Sequence, residues 1–268
     1  MKLIANDQEC VNKLFTIFKN LKAITDSLVI YLDEVKGVYI QGLDRSQCCM
    51  CEIKLQSTWF NTFEFDNTKD IPTIGINTVI LNKIMTTYTE GQSITLSTIG
   101  EADKLSISFS GTQGVLNKEY EVPLMNIEVD ILAITEESRQ IDVIMNTKQF
   151  VELVNQMQMF HDTLTMKFTE ELLEMSAEGI EGNMKVNISL DDIIEYQIEE
   201  GLELKQDYAI QFIQMMSAFH KLSFQLELKF DTERPMEGKY VLGENSYCLL
   251  YTSPSPRDAT LSRMPSSA

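Results

Sequence analysis

The chain repeats one order of predicted elements, and this repeat constrains its fold more than any other feature of the sequence. An amphipathic helix, a short polar break and an alternating strand occupy residues 10–32 and recur at residues 150–168. A short helix followed by an alternating strand lies within residues 76–109 and again within residues 208–230. A duplicated unit of about 120 residues predicts a pseudo-symmetric protein, and such proteins typically bind partners rather than catalyse reactions.

Within each repeat, the predicted strands alternate apolar and polar residues, as strands with one buried face do. The first helix, capped by Asn6 or Asp7, carries an apolar stripe at helical spacing and a second face that includes Thr16. The stripe comprises Val11, Leu14, Phe15, Phe18 and Leu21. Each half therefore predicts a twisted antiparallel sheet with two helices on one face, an α+β fold.

Charge is divided unevenly along the chain. The net charge of −18 would by itself argue against nucleic-acid binding. The predicted helical spans, however, contain only two acidic residues, Glu9 and Glu152, and they carry most of their charge as lysine. These spans are residues 9–22, 79–87, 148–160 and 209–221. The exposed helix faces are thus expected to be neutral to basic, with the acidic residues on strands and loops.

Several classes of protein are disfavoured by the sequence. No apolar run approaches the length of about 18 residues that a membrane helix needs, and the N-terminal residues lack the apolar stretch of a signal peptide. The cysteines at positions 48, 49 and 51 do not form a disulfide framework, so a reducing compartment is expected. A zinc site is disfavoured because no Cys or His pair at zinc spacing accompanies them. No catalytic motif is present, which predicts a protein without enzyme activity or a cofactor.

Residues 248–268 differ abruptly in composition from the rest of the chain and hold three of its six prolines. Their sequence resembles the conceptual translation of a sequencing adaptor, and a natural disordered tail is the alternative. On the adaptor interpretation these residues are not structural. The second domain would then end at Tyr247, without its last strand.

Four motifs resemble those of the proliferating cell nuclear antigen family, the sliding clamps of eukaryotes and archaea. They are VYIQGLDRSQCC at 38–49, STWFNTFEFD at 57–66, YEVPLMNIEVDILAI at 120–134 and GNMKVNI at 182–188. The resemblance extends from Met1 to about Tyr247. It implies two tandem clamp domains, residues 1–117 and 138–247, joined by an interdomain connector at 118–137. Sheets would form the outer wall, and two helices per domain would line the inner face.

The resemblance also implies a function. Three chains would form a closed ring around duplex DNA, independent of sequence, as a processivity factor in replication and repair. The implied partners are a DNA polymerase and other client proteins that dock by short peptides, together with an ATP-driven clamp loader. The expected location is the nucleus, or a viral replication site for a virus-encoded protein. An alternative is a clamp-fold docking scaffold or viral transcription cofactor with little DNA encirclement, which the thin basic lining favours.

The resemblance assigns residues to three surfaces. The DNA-facing residues would be Lys13, Lys19, Lys83, Lys148, Lys221, Asn12, Asn155 and Gln211. The subunit interface would contain Tyr120, Asn183, Met184, Lys185, Val186 and Ile188, with the first partner strand near residues 115–121. The groove for client peptides would be formed by Leu43, Gln47, Cys48, Leu132, Ile134 and Pro235.

Overall fold

The computed structural model describes residues 1–98, 103–111, 114–128, 130–134 and 138–254. Two compact units are formed. The first comprises residues 1–45, 51–131 and 242–248, and the second comprises residues 46–50 and 132–241 with the chain from 249 onward. Val129, residues 135–137 of the predicted connector and residues 255–268 of the predicted tail lie outside the described residues.

The first unit contains two sheets and two α-helices. One sheet has the strand order β5-β1-β7-β8-β9, and β2 pairs with β3 on one side and with β6 on the other. The pairings β1–β5, β1–β7, β7–β8, β8–β9, β2–β3 and β2–β6 are all antiparallel. The elements are β1 Lys2–Ala5, α1 Gln8–Ile24, β2 Ser27–Asp33, β3 Gly37–Leu43, β4 Cys49–Leu55, β5 Thr62–Glu64, β6 Thr73–Asn77, α2 Thr78–Met85, β7 Ser93–Ser97, β8 Lys104–Ser110 and β9 Lys118–Pro123.

The second unit has the same kinds of elements. One sheet has the order β13-β12-β11-β15, and in the other β10 lies between β14 and β16, with β17 beyond β16. The elements are β10 Ile141–Asn146, α3 Thr147–Met157, β11 Thr163–Phe168, β12 Leu172–Gly179, β13 Gly182–Ser189, β14 Glu195–Ile198, β15 Leu204–Ala209, α4 Ile210–Ser217, β16 Gln225–Phe230, β17 Met236–Gly243 and β18 Ser246–Thr252. Residues 242–248, which include the end of β17 and the start of β18, are assigned to the first unit. The predicted α+β architecture is confirmed.

Short polar side chains begin three of the four α-helices in the described part of the chain. The Asp7 carboxylate accepts the N–H groups of Glu9 and Cys10 at the start of α1, which selects Asp7 rather than Asn6 as the cap. Asn77 and Asn146 cap α2 and α3 in the same way. Each cap satisfies backbone donors that a helix leaves without intrahelical partners.

The apolar stripe of α1 is largely confirmed, since Val11, Leu14, Phe18 and Leu21 are buried. Phe15 is only half-buried. The prediction that Thr16 lies on the exposed face is wrong, because its side chain is 4% exposed. Its Oγ1 donates to the Asn12 carbonyl at 2.7 Å, one turn back, so the hydroxyl is satisfied inside the unit.

The predicted end of the structured chain at Tyr247 requires a correction. Strand β18 continues to Thr252, and residues 248–252 are all buried. The physical reason is that CLLYT is an apolar, β-favouring run, whereas the prolines and serines that dominate the composition of the tail lie beyond it. The interpretation of the remaining tail as an adaptor translation stays a hypothesis.

Candidate nucleic-acid interface

In the first unit, α1 and α2 pack against each other and expose polar side chains. The Asn82 Nδ2 donates to the Lys19 carbonyl at 2.6 Å, which joins the two helices. Asn12, Lys19 and Lys83 are exposed, as predicted for residues that face a ligand. The pair thus forms a polar surface with two accessible ammonium groups.

The basic residues of α1 are partly engaged within the unit. Lys13 Nζ lies 2.6 Å from Glu9 Oε1, and its side chain is 17% exposed. Lys19 Nζ lies 5.4 Å above the centre of the Phe15 ring, a cation–π distance. Both interactions compete with an external anion, so Lys13 in particular is weakened as a phosphate ligand.

In the second unit, α3 and α4 form the corresponding pair. The side-chain amides of Gln158 and Gln214 bond to each other and join the helices. The predicted DNA-facing residues Lys148, Asn155, Gln211 and Lys221 are all exposed. Lys221 lies beyond the end of α4, which stops at Ser217 rather than continuing to residue 221 as predicted. Among the described residues, neither Lys148 nor Lys221 makes an ion pair.

The predicted interface residues lie on strands at sheet edges. Strand β9 ends the five-stranded sheet and β13 ends the four-stranded sheet. Along β13, Met184 and Val186 are half-buried and Ile188 is buried, while Asn183 and Lys185 are exposed. This pattern confirms the predicted alternation. Lys185 Nζ pairs with Glu174 Oε2 at 2.6 Å on the adjacent strand, so its charge is balanced within the chain.

The first interface strand begins at Lys118, later than the predicted start near residue 115. The reason is that the Leu116 carbonyl accepts a side-chain hydrogen bond from Gln92 at 2.8 Å, in place of a strand partner. One face of β9 carries the half-buried Lys118 and Tyr120 and the buried Val122. Its other face carries the exposed Glu119 and Glu121.

Strand β9 is held by the segment that follows α2, an interaction that the sequence does not reveal. Lys118 Nζ donates to the Thr87 carbonyl and, at 3.1 Å, to Thr89 Oγ1. The Tyr120 hydroxyl lies 2.7 Å from Thr87 Oγ1. Lys118 therefore places its positive charge beside a carbonyl just beyond the C-terminal end of α2, where a cation is favourable.

The predicted groove residues fall in both units. Leu43 belongs to the first unit, whereas Gln47, Cys48, Leu132, Ile134 and Pro235 belong to the second. Gln47 has a φ of 58° and is exposed, and the other five are half-buried. Their assembly into one groove remains a prediction.

The clustered cysteines at positions 48, 49 and 51 differ in burial. Within the part of the chain that the structure describes, no group of three or more His, Cys, Asp or Glu residues could hold a metal ion. Cys49 and Cys51 are buried, and Cys48 is half-buried. Hydrogen bonding to Cys248, together with burial, raises the pKa of Cys51 well above its ordinary value, so its sulfur stays an unreactive thiol.

The histidines also have local roles at helix ends. His161 Nδ1 accepts the Thr163 N–H at 3.0 Å, and His220 Nδ1 lies 2.9 Å from the Ser217 carbonyl. None of the described helices is long and apolar enough to cross a membrane.

Comparison with known proteins gives consistent matches. A family model described as proliferating cell nuclear antigen, N-terminal domain, matches residues 6–132. The chain is 25% identical to Proliferating cell nuclear antigen 1 of Plasmodium falciparum over 248 residues, which cover 90% of this chain and 88% of the relative. It is 20% identical to Proliferating cell nuclear antigen 2 of Drosophila melanogaster over 222 residues, covering 83% and 86% of the two chains.

Proposed function

Because the chain belongs to the proliferating cell nuclear antigen family, a family of sliding clamps that act in DNA replication and repair, we propose that it encircles duplex DNA as a homotrimer. In this role it is a processivity factor with no catalytic step of its own. A polymerase tethered to such a ring rebinds its template at a high effective concentration.

The observation that carries the proposal is the pair of sheet edges at β9 and β13. An edge strand leaves backbone N–H and C=O groups without sheet partners, and proteins normally blunt or cover such edges. Strands β9 and β13 are six and eight residues long, whereas β5, at the opposite edge of the sheet of β9, has only three residues. Pairing of β9 in one copy with β13 in the next would cover both edges.

Side-chain alternation supports the same pairing. On β9 the half-buried Tyr120 and on β13 the half-buried Met184 and Val186 leave apolar surface that a second strand could cover. The charged residues Glu121 and Lys185 already have partners within the chain, Lys104 and Glu174. The interface between copies would therefore depend mainly on backbone hydrogen bonds and apolar side chains.

The helix faces support a loose hold on DNA. The exposed residues Lys19, Lys83, Lys148 and Lys221 can bind phosphates without reading bases, and such binding weakens with salt. Amides at Asn12, Asn155 and Gln211 can bridge to phosphates through water. Few charges and many amides would let a duplex slide within the ring while binding open DNA poorly.

We expect the protein to stay on closed circular DNA and to leave once the DNA is cut. The measurement is gel filtration of the protein with nicked circular plasmid after loading by a clamp loader, before and after linearisation. Equal retention on circular and linear DNA would contradict encirclement. Native mass spectrometry checks the trimer separately.

A second candidate function is a docking scaffold. It is favoured by the Lys13–Glu9 ion pair and by helix faces that carry few lysines and several side-chain amides. A clamp-fold scaffold that docks proteins without encircling DNA would need no basic lining. A monomer at micromolar concentration, with peptide binding intact, would favour the scaffold over the ring. Docking of client peptides is common to both candidates. Action of an ATP-driven loader, and location in the nucleus or at a viral replication site, belong to the first candidate.

A further inference from the structure

The connector is attached to the first unit at one strand edge. Gly75 lies in the middle of β6, and its carbonyl accepts the Met125 N–H at 2.8 Å in an isolated antiparallel bridge. The preceding residue, Leu124, donates its N–H to the Asp103 carbonyl at 2.7 Å. Two backbone hydrogen bonds therefore fix the chain directly after β9.

The residue at this bridge has to be glycine because of the close approach. A Cβ at position 75 would lie 2.1 Å from the Met125 carbonyl oxygen and 3.2 Å from Ile127 Cδ1. Distances this short to backbone atoms require the connector to move. Gly75 is not among the glycines with positive φ, so the backbone conformation itself would accept a side chain. Glycine within a strand typically marks such an approach of another backbone.

The connector continues from this bridge to Leu132 and Ile134, which the proposed docking groove includes. Its side chains near the bridge are accessible, since Met125 is 41% exposed and Ile131 is 50% exposed. We propose that Gly75 anchors the connector at Met125 and so positions the segment that receives client peptides. This inference rests on the docking role in the proposed function.

The anchor would act by ordering the connector before a peptide binds, without adding interactions with the peptide. A connector released at Met125 would have to be ordered when a peptide binds, and ordering a backbone segment costs conformational entropy. Preorganisation removes that cost before binding. Loss of the anchor is therefore expected to weaken peptide binding although Gly75 does not touch the peptide.

The experiment perturbs the anchor from both sides. Gly75→Ala adds the Cβ for which the bridge leaves no room. Met125→Pro removes the N–H group that donates to the Gly75 carbonyl. The control is Gly42→Ala in β3, where a Cβ would meet Thr25 Cγ2 at 3.4 Å, an ordinary van der Waals distance. Hydrogen exchange of residues 124–128 reports the anchor. Fluorescence anisotropy of a labelled peptide with a Gln, an aliphatic residue and two aromatic residues reports docking.

We expect exchange at least about tenfold faster and peptide affinity about tenfold weaker in both anchor variants, with Gly42→Ala like the wild type. Unchanged exchange in both variants would overturn the anchor, and faster exchange with unchanged affinity would overturn its positioning role. A lower melting temperature of Gly75→Ala would mean that the new methyl group also perturbs the first unit. In that case the exchange and affinity of Met125→Pro test the anchor. A wild-type protein that binds no such peptide would refute the docking role, while its exchange data would still test the anchor.

Discussion

The two units support their edge strands by different interactions. In the first unit, Lys118 and Tyr120 on β9 bond to Thr87 in the segment after α2. In the second unit, the end of β12, next to the turn into β13, lies against the residues that follow α3. A Cβ at Gly179 would there lie 2.0 Å from the Phe160 carbonyl oxygen. One edge is contacted by polar side chains and the other by a close approach of backbone, so the two edge strands depend on different local chemistry.

The units also differ in how their helix lysines are engaged. In the first unit, Lys13 is paired with Glu9, and Lys19 lies over Phe15. In the second unit, Lys148 and Lys221 are exposed and, among the described residues, make no ion pair. This contrast indicates that Lys148 and Lys221 are more available to phosphates than Lys13.

The largest effect is expected at the backbone approach in the second unit. Gly179→Ala should lower the free energy of unfolding by about 2–4 kcal/mol, because the new methyl group forces backbone to shift. Urea denaturation followed by circular dichroism measures it, with Gly42→Ala as a control of low cost. Equal stability of the two variants would show that the turn can move freely and would remove the contrast between the edges.

A smaller effect is expected at the polar side chains of the first unit. Lys118→Met removes two hydrogen bonds and should cost about 1 kcal/mol of unfolding free energy. The matched control is Lys104→Met on β8, which removes only a surface ion pair with Glu121 and should cost about 0–1 kcal/mol. A control that is more destabilising than Lys118→Met would contradict the bracing role of Lys118.

The lysine contrast predicts an unequal effect on DNA binding. Lys148→Gln or Lys221→Gln should reduce the slope of log affinity against log salt by about 0.9 for each phosphate that the variant no longer neutralises. Lys13→Gln should change the slope less, and Glu9→Gln should strengthen binding by releasing Lys13. Anisotropy of a labelled duplex across a salt series measures these slopes. A larger reduction from Lys13→Gln than from Lys148→Gln would reverse the comparison.

The smallest effect concerns pH. Burial raises the pKa of Glu237 above its ordinary value of 4.5, although Lys229, Arg139 and Lys239 oppose the shift. The folded chain therefore holds this proton more tightly than the unfolded chain, so the contribution is present at low pH. It is lost as pH rises from 4.5 through the folded value. Glu237→Gln should flatten this part of the stability profile, and an unchanged slope in urea titrations would argue against the shift.

The sequence predicts the fold where periodicity is strong. The alternation of β13 follows from a local pattern that burial confirms, and the sequence narrows the cap of α1 to Asn6 or Asp7, of which hydrogen bonding selects Asp7. The helical pattern misplaces Thr16 because a threonine can bury its methyl group while its hydroxyl bonds to a carbonyl one turn back. Composition misplaces the end of the folded chain because an average over the tail hides the strand-forming run at its start.

The interactions between distant residues cannot be predicted in the same way. Lys118 and Thr87 are 31 residues apart in sequence, and no local pattern indicates their bond. Gly75 leaves a signal, since glycine inside an alternating strand indicates a close approach, but its partner Met125 cannot be identified from spacing. The helix lysines can be identified, whereas the ion pair that engages Lys13 depends on the side-chain conformation of Glu9.

The edges at β9 and β13 have a consequence for how copies would assemble. Because the two strands differ, two copies joined through them form one interface and still leave one β9 and one β13 uncovered. In the proposed ring, a third copy would add two interfaces at once, so the dimer would be the least favoured species. Assembly and dissociation of the ring should therefore be cooperative, passing between single chains and the complete ring with little intermediate.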